Sequence, residues 1–283
     1  MADVRVTALN FYPVKSCAGT PLPRATIGAR GILHDREFMV VEPNGEFVTQ
    51  RELPRLALIH PTFDGRILHL NATEMPPLVV PGVKAGTRRN VVVWRDTVTA
   101  VDQGDDVAEW LSTFLRHAVR LVRMPHDTFR QVDQQFAPRA TDQVGFADGY
   151  PILLISEESL EDLNTRLATP LPMNRFRPNI VVRGMNAPFA EDLWAEVRIG
   201  EVTFDVVKAC ARCVTTTVNQ DTAERGSEPL VTLTTYRRIP RGVLFGQNLI
   251  HSTQGAISIG DPLTVLRYAE SAEQSRATSS SVL

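Results

Sequence analysis

A chain of 283 residues, 43% apolar and 22% charged, is long enough for one large or two ordinary hydrophobic cores and is globular rather than disordered in composition. Its formal net charge of -2, from 30 Lys and Arg against 32 Asp and Glu, excludes an overall electrostatic case for nucleic acid or an acidic membrane but leaves room for a local basic cleft. Three cysteines in no regular framework argue against a secreted disulfide scaffold and for a reducing compartment. No window is apolar enough to span a bilayer, and MADVRVTALN lacks the basic region and apolar run of a signal peptide, so the expected setting is the cytoplasm.

In chain order, residues 4–14 alternate and are rich in strand formers, with Pro13 marking an edge or an end. Phe38 to Val41 and Glu46 to Thr49 flank Asn44-Gly45, a hairpin signal because both residues tolerate positive φ. The arrangement repeats around Asp64-Gly65 and, over residues 90–102, around Arg95-Asp96. Asp105 is expected to cap a helix through Arg116, with Val107, Trp110, Leu111, Phe114 and Leu115 as its buried stripe, and a strand over 119–124 follows.

Residues 125–149 are polar and irregular, a length of connection that points to function. A strand at 150–155 leads to Ser156, which can cap the helix EESLEDLNTRLA, buried through Leu160, Leu163 and Leu167; a strand at 180–182 comes next. From Trp194 onward the pattern predicts short strands: AEVRIG, EVTFDVV, CVTTTV, LVTLTTY, 241–250 and 256–267. The tail from 269 to 283 is polar and has no reason to pack.

Three groups carry potential chemistry. VVKACARCVTTTV places Cys210 and Cys213 beside Lys208 and Arg212, cations that lower a thiol pKa. The pair fits half a zinc site, a redox dithiol, one thiolate on a soft high-valent metal, or two inert thiols. Zinc lacks a second ligand pair, and a redox dithiol normally opens a helix where β-branched residues stand here. Lys15, Ser16 and Arg36 lie at strand-to-turn junctions, where donors converge on phosphate. Asn174, Arg175, Arg177 and Asn179 form the third group: two arginines two residues apart share one side of an extended chain, and Asn179 adds an amide able to read a heterocycle edge. Asp148, before Gly149-Tyr150-Pro151, can accept from a ring N–H or form a local turn. No Gly-x-Ser-x-Gly, His-Glu-x-x-His or phosphate-binding Gly-rich loop is present, and no basic–aromatic interleaving suggests a single-stranded nucleic-acid platform.

FYPVKSCAG, LHDREFMVV, TQRELPRLALI, NRFRPNIVV, KACARCVTTTV, LFGQNLI and ISIGDPLTVL, in that order over residues 4–267, resemble the molybdenum cofactor sulfurase C-terminal (MOSC) family, in the branch of the mitochondrial amidoxime-reducing component and its YcbX-like relatives. The resemblance implies a mainly β fold with α+β elaboration: a MOSC-type antiparallel β-barrel (126–268) completed by early strands, and a smaller N-terminal α+β lobe (1–125). It implies a molybdenum–molybdopterin cofactor (Moco), with Cys213 as the protein ligand to the metal. Lys15, Ser16, Arg36, Arg175, Arg177 and Asn179 become cofactor contacts, and Asp148 joins Cys213 as a candidate catalytic residue. The implied activity is reduction of N-hydroxylated compounds. The chain has no Cys-x4-Cys-x2-Cys run for a [2Fe–2S] cluster, so electrons are expected from a separate ferredoxin, flavoprotein or cytochrome b5-like protein. The competing expectation is a non-catalytic carrier of the cofactor or of sulfur.

Overall fold

The computed structural model describes residues 3–82, 86–240 and 242–269. Its largest unit is a nine-stranded sheet whose main path runs Leu263–Tyr268, Trp194–Ile199, Val202–Arg212, Gly242–His251, Ile152–Ser156, Ile180–Arg183, Arg5–Phe11, Thr20–Leu22, with Arg238–Ile239 paired onto Gly242–His251. The first strand therefore pairs with strands from the second half of the chain, Leu9 lying opposite Ile180. The sheet is mixed rather than purely antiparallel: Ile152–Ser156 and Ile180–Arg183 run parallel, because the helix between them carries the chain back across. The sheet curls, and its far edges approach where Val6 N–H donates to the Asp261 carbonyl (3.0 Å) and Leu263 N–H to the Val4 carbonyl (2.7 Å). No ladder among the described residues joins the two outermost strands, so the architecture is a mixed α/β fold with an open, curled sheet. Inside lie Val6, Leu9, Leu154, Ile180, Val197, Phe204 and Leu249.

A second, four-stranded sheet orders Phe38–Val41, Arg120–Arg123, Asp96–Asp102 and Arg88–Val93. FMVV is buried along its whole length because alternate side chains serve two cores. Phe38 and Val40 meet helix α1 (Asp105–Leu115), and Met39 and Val41 meet Val91, Val122 and Phe146. The α1 stripe is as expected, but Asp105 is not its cap. Gly104 holds that position at φ 104°, its N–H bound by Asp102, while Asp105 pairs with Arg120. Helix α2 (Glu157–Thr165) is capped by Ser156, whose hydroxyl accepts from Ser159 N–H at 3.1 Å.

Two expected strands are helical. Residues 214–217 of CVTTTV form a 3₁₀ turn, and LVTLTTY forms α3 (Leu230–Tyr236). In both, threonine hydroxyls turn back on the preceding turn: Thr217 on Val214, Thr234 on Leu230, Thr235 on Thr232. Glu228 also accepts from Thr232 N–H, so local hydrogen bonds override β-propensity. Glu46 and Phe47 make only isolated bridges. The tail beyond 269 lies outside the described residues.

Gly246 lies mid-strand at φ 83°, where a Cβ would come within 2.9 Å of the Leu154 carbonyl and 2.7 Å of Ile155. Gly246→Ala is expected to cost roughly 2–4 kcal/mol and to lower Tm by roughly 5–10 °C in thermal unfolding; an unchanged Tm contradicts this packing.

Candidate active site

Opposite Gly246 the pairing of Val202–Arg212 with Gly242–His251 slips: Ala209 faces Gln247, but Ala211 faces Leu244. Such irregularities re-aim side chains. Here Cys210, Arg212 and Cys213 all line one cavity of about 150 Å³. Cys213 is still extended (φ −113°, ψ 177°) and opens the 3₁₀ turn, its carbonyl accepting from Thr216 N–H at 3.1 Å. Cys210 and Cys213 are both free thiols, joined by no disulfide.

The other walls come from distant segments. Lys15, Ser16, Arg36, Arg51, Asp148, Arg177, Asn179 and Arg212 line the same cavity, so five cations face one carboxylate. Tyr12 is the spacer between two of them, with the Arg36 guanidinium 4.1 Å and the Arg177 guanidinium 4.4 Å from its ring centre. Its hydroxyl is tied to the Pro178 carbonyl at 3.1 Å. Arg36 also pairs with Asp35 and donates to Asn179 Oδ1 at 3.1 Å. Asn179 is fully engaged, its amide donating to the Asn10 carbonyl (3.2 Å) and Asp35 (3.1 Å) and accepting from Leu153 N–H (3.2 Å). It braces the wall rather than offering a free edge to a heterocycle.

Arg51 Nε, Arg177 Nη2 and Arg212 Nε are buried without any partner. Buried donors are nearly always satisfied, and each orphan costs about 1–3 kcal/mol. All three belong to residues that line the one cavity, whose surplus of positive charge suits an anionic ligand. Burial holds Arg177 down, to about 10. It also lowers Lys15, against the raising effect of Asp148. At the mouth, desolvation opposes ionisation of Asp148, but the paired Lys15 ammonium, Arg51 and the Trp94 N–H hold its carboxylate well below the usual range. For Cys213, burial opposes the thiolate, while hydrogen bonds from Thr215 and the charges of Arg51 and Arg212 outweigh it, so the thiol lies below its ordinary value. Cys17 is the contrast: it is fully buried, and burial pushes it up to about 12. No cluster of three or more His, Cys, Asp or Glu that could hold a metal ion occurs among the described residues. A larger cavity of about 520 Å³ shares Arg177 with this one and is also lined by Tyr12, but contains no cysteine.

Residues 3–118 match the family model of the MOSC N-terminal beta barrel domain, and residues 141–264 that of the MOSC domain. Mitochondrial amidoxime-reducing component 1 of Homo sapiens is 39% identical over 282 residues, covering 92% of this chain and 82% of the relative. The chain belongs to the amidoxime-reducing-component branch of the MOSC family. Component 1 of Xenopus laevis (37%, covering 91% and 81%) and component 2 of Homo sapiens (35%, covering 91% and 82%) are similar to it over the same extent.

In this MOSC-family chain, one residue expected at the site lies elsewhere. Arg175 does not line the cavity; its Nε donates to the Thr216 carbonyl (2.9 Å) and its Nη2 to the Glu228 carbonyl (3.1 Å), bracing the turn after Cys213. The extended chain assumed for Arg175 and Arg177 is instead a 3₁₀ turn at 173–175 followed by Arg177 at φ 56°, so the two guanidinia diverge. Sequence reasoning missed Arg51 as a lining residue and Tyr12 as the ring that separates Arg36 from Arg177. It also missed Arg130, which binds the carbonyls of Gly145, Ala147 and Asp148 and so shapes the irregular 125–149 connection. No local spacing marks any of these three; only long-range packing does.

Iodoacetamide at neutral pH should alkylate Cys213 of cofactor-free protein, with a rate reaching half its maximum below the ordinary thiol value of 9.0, and leave Cys17 unmodified until unfolding. Peptide mass mapping reads both sites, and early labelling of Cys17 contradicts the assignment.

Proposed function

We propose that this chain is a molybdenum-cofactor-dependent reductase of N-hydroxylated compounds that draws electrons from a separate redox protein. The observation that carries this reading is a half-buried thiol with a lowered pKa in a cavity where three buried guanidinium nitrogens have no internal partner. That donor set suits a phosphate-bearing cofactor with a soft metal: one thiolate for the metal, and Lys15, Arg36, Arg51, Arg177 and Arg212 for negative charge. The relatives' name, amidoxime-reducing component, supplies the substrate class. When bound, the cofactor supplies the two-electron reduction that, with two protons, converts N–OH to N–H and water.

The chain's own residues do the rest. Cys213 would hold the metal, and the Thr216 and Arg175 contacts keep its turn in place. Ser16, at φ 67°, turns the chain at the cavity wall while its carbonyl accepts from Gln50 (2.7 Å). Asp148 stays ionised, so it accepts a hydrogen bond from the substrate's N–H rather than giving a proton; protons come from solvent at the mouth. In this proposal the electron donor is a separate ferredoxin, flavoprotein or cytochrome b5-like protein. No helix among the described residues is long and apolar enough to cross a membrane. We read residues 1–125 and 126–268 as the two units of the fold, the curled sheet as the MOSC barrel, and the unpaired thiols as suited to the cytoplasm.

Protein from a cofactor-producing host should reduce an aromatic amidoxime with a dithionite-reduced viologen dye as donor. Loaded protein without turnover supports a carrier instead. Asp148→Asn should lower kcat/KM roughly tenfold without moving either limb of the rate profile between about pH 5 and 8, because the carboxylate is already ionised there. Loss of an alkaline limb in the variant would make Asp148 a proton donor, which acts only while protonated, and overturn its assigned role.

A further inference from the structure

The tip of the hairpin joining Arg88–Val93 to Asp96–Asp102, in the second sheet, packs on two residues that line the cavity, Arg51 and Asp148. Arg130 is buried and joins Asp96 at the tip (2.7 Å) to the carbonyls of the loop that carries Asp148. Trp94 adopts φ 57°, a left-handed backbone that a bulky residue rarely accepts without compensation. The compensation is three contacts. The indole N–H donates to Asp148 Oδ1 (3.3 Å), the Arg51 guanidinium stacks 4.4 Å from the ring centre, and Phe47 packs at 5.0 Å. Trp94 nevertheless remains 39% exposed, among the few large apolar side chains the fold leaves in solvent.

Two of these partners belong to the cavity wall. Arg51 has its Nε buried and unpartnered, and its charge acts on both Cys213 and Asp148. Asp148 Oδ1 is taken by Lys15 and Trp94, and neither bond uses its Oδ2. The indole thus ties together a flat cation and a carboxylate that both line the cavity of the thiol.

We propose that Trp94 is the specificity-determining positioning residue of this site. By holding Arg51 and Asp148 as the jaws of a slot, it favours flat, conjugated N-hydroxylated substrates bearing an N–H donor over small ones. The assignment rests on the reductase reading for its substrate class. A planar guanidinium stacked on an aromatic ring stacks well on a conjugated ligand, and the carboxylate reads the ligand's amino group. Hydroxylamine has no conjugated plane and gains little from the slot.

The test uses loaded full-length wild type, Trp94→Ala and Trp94→Phe, with molybdenum per chain and Tm measured alongside. The ratio of kcat/KM for benzamidoxime to that for hydroxylamine should fall about tenfold in Trp94→Ala, through KM. It should fall less in Trp94→Phe, which keeps a ring under Arg51 but loses the donor to Asp148. Benzamidine, a flat amidine with nothing to reduce, provides a readout without turnover: by calorimetry on the unreduced enzyme its affinity should drop about tenfold in Trp94→Ala. An unchanged ratio with unchanged benzamidine affinity overturns the proposal, as does an equal loss on both substrates that follows lost molybdenum or Tm. A wild type that binds benzamidine and loses it in Trp94→Ala, yet turns over neither substrate, refutes the reductase and keeps the slot.

Discussion

One side-chain amide holds the site's walls in register. Asn179 hydrogen-bonds the Asn10 carbonyl and the Leu153 N–H, which belong to the curled sheet or the chain leading into it. It also bonds Asp35 and Arg36, in the segment that leads into the second sheet. Asp35 in turn takes the Tyr12 N–H at 2.8 Å, and Tyr12 separates Arg36 from Arg177. The network joins residues more than 140 positions apart and satisfies a buried carboxylate whose pKa burial would otherwise raise further. Satisfied networks of this kind make rigid frames. That rigidity is what allows other cations on the wall to remain unpaired at fixed positions until a ligand arrives.

The balance of charge follows from the same frame. Burial destabilises Lys15 and Arg177 as cations, and Asp148 offsets this only for Lys15. The remaining unsatisfied donors therefore select for negative charge, and the thiol they surround is pulled toward its thiolate. Cys17 shows that a cysteine alone is no signal here: with Arg177 as its one charged neighbour of note and no exposure, it stays a thiol.

Much of this was legible in the chain. Alternation marked the first strand, the Asn44-Gly45 turn marked the FMVV strand, and apolar periodicity and a serine cap marked α1 and α2, because these elements are decided by local pattern against a large core. CVTTTV and LVTLTTY misled because threonine's hydroxyl can satisfy a helical backbone as well as its branched carbon suits a strand. Lys15, Ser16, Arg36, Asp148, Arg177, Asn179 and Cys213, drawn from across the sequence, line one cavity. Arg175 was misplaced because the two-residue spacing assumed extended backbone, and a left-handed Arg177 breaks that assumption. Arg51 and Trp94 were invisible for a different reason: their importance lies in each other and in Asp148, contacts that no local window contains.

The central claim is that Cys213, and not its neighbour Cys210, supplies the protein thiolate to the metal. Molybdenum per chain, measured by mass spectrometry on wild type, Cys213→Ser and Cys210→Ser purified from the same cofactor-producing host, tests it most directly. The account predicts metal in wild type and Cys210→Ser and little in Cys213→Ser; metal retained in Cys213→Ser, or lost only in Cys210→Ser, contradicts it.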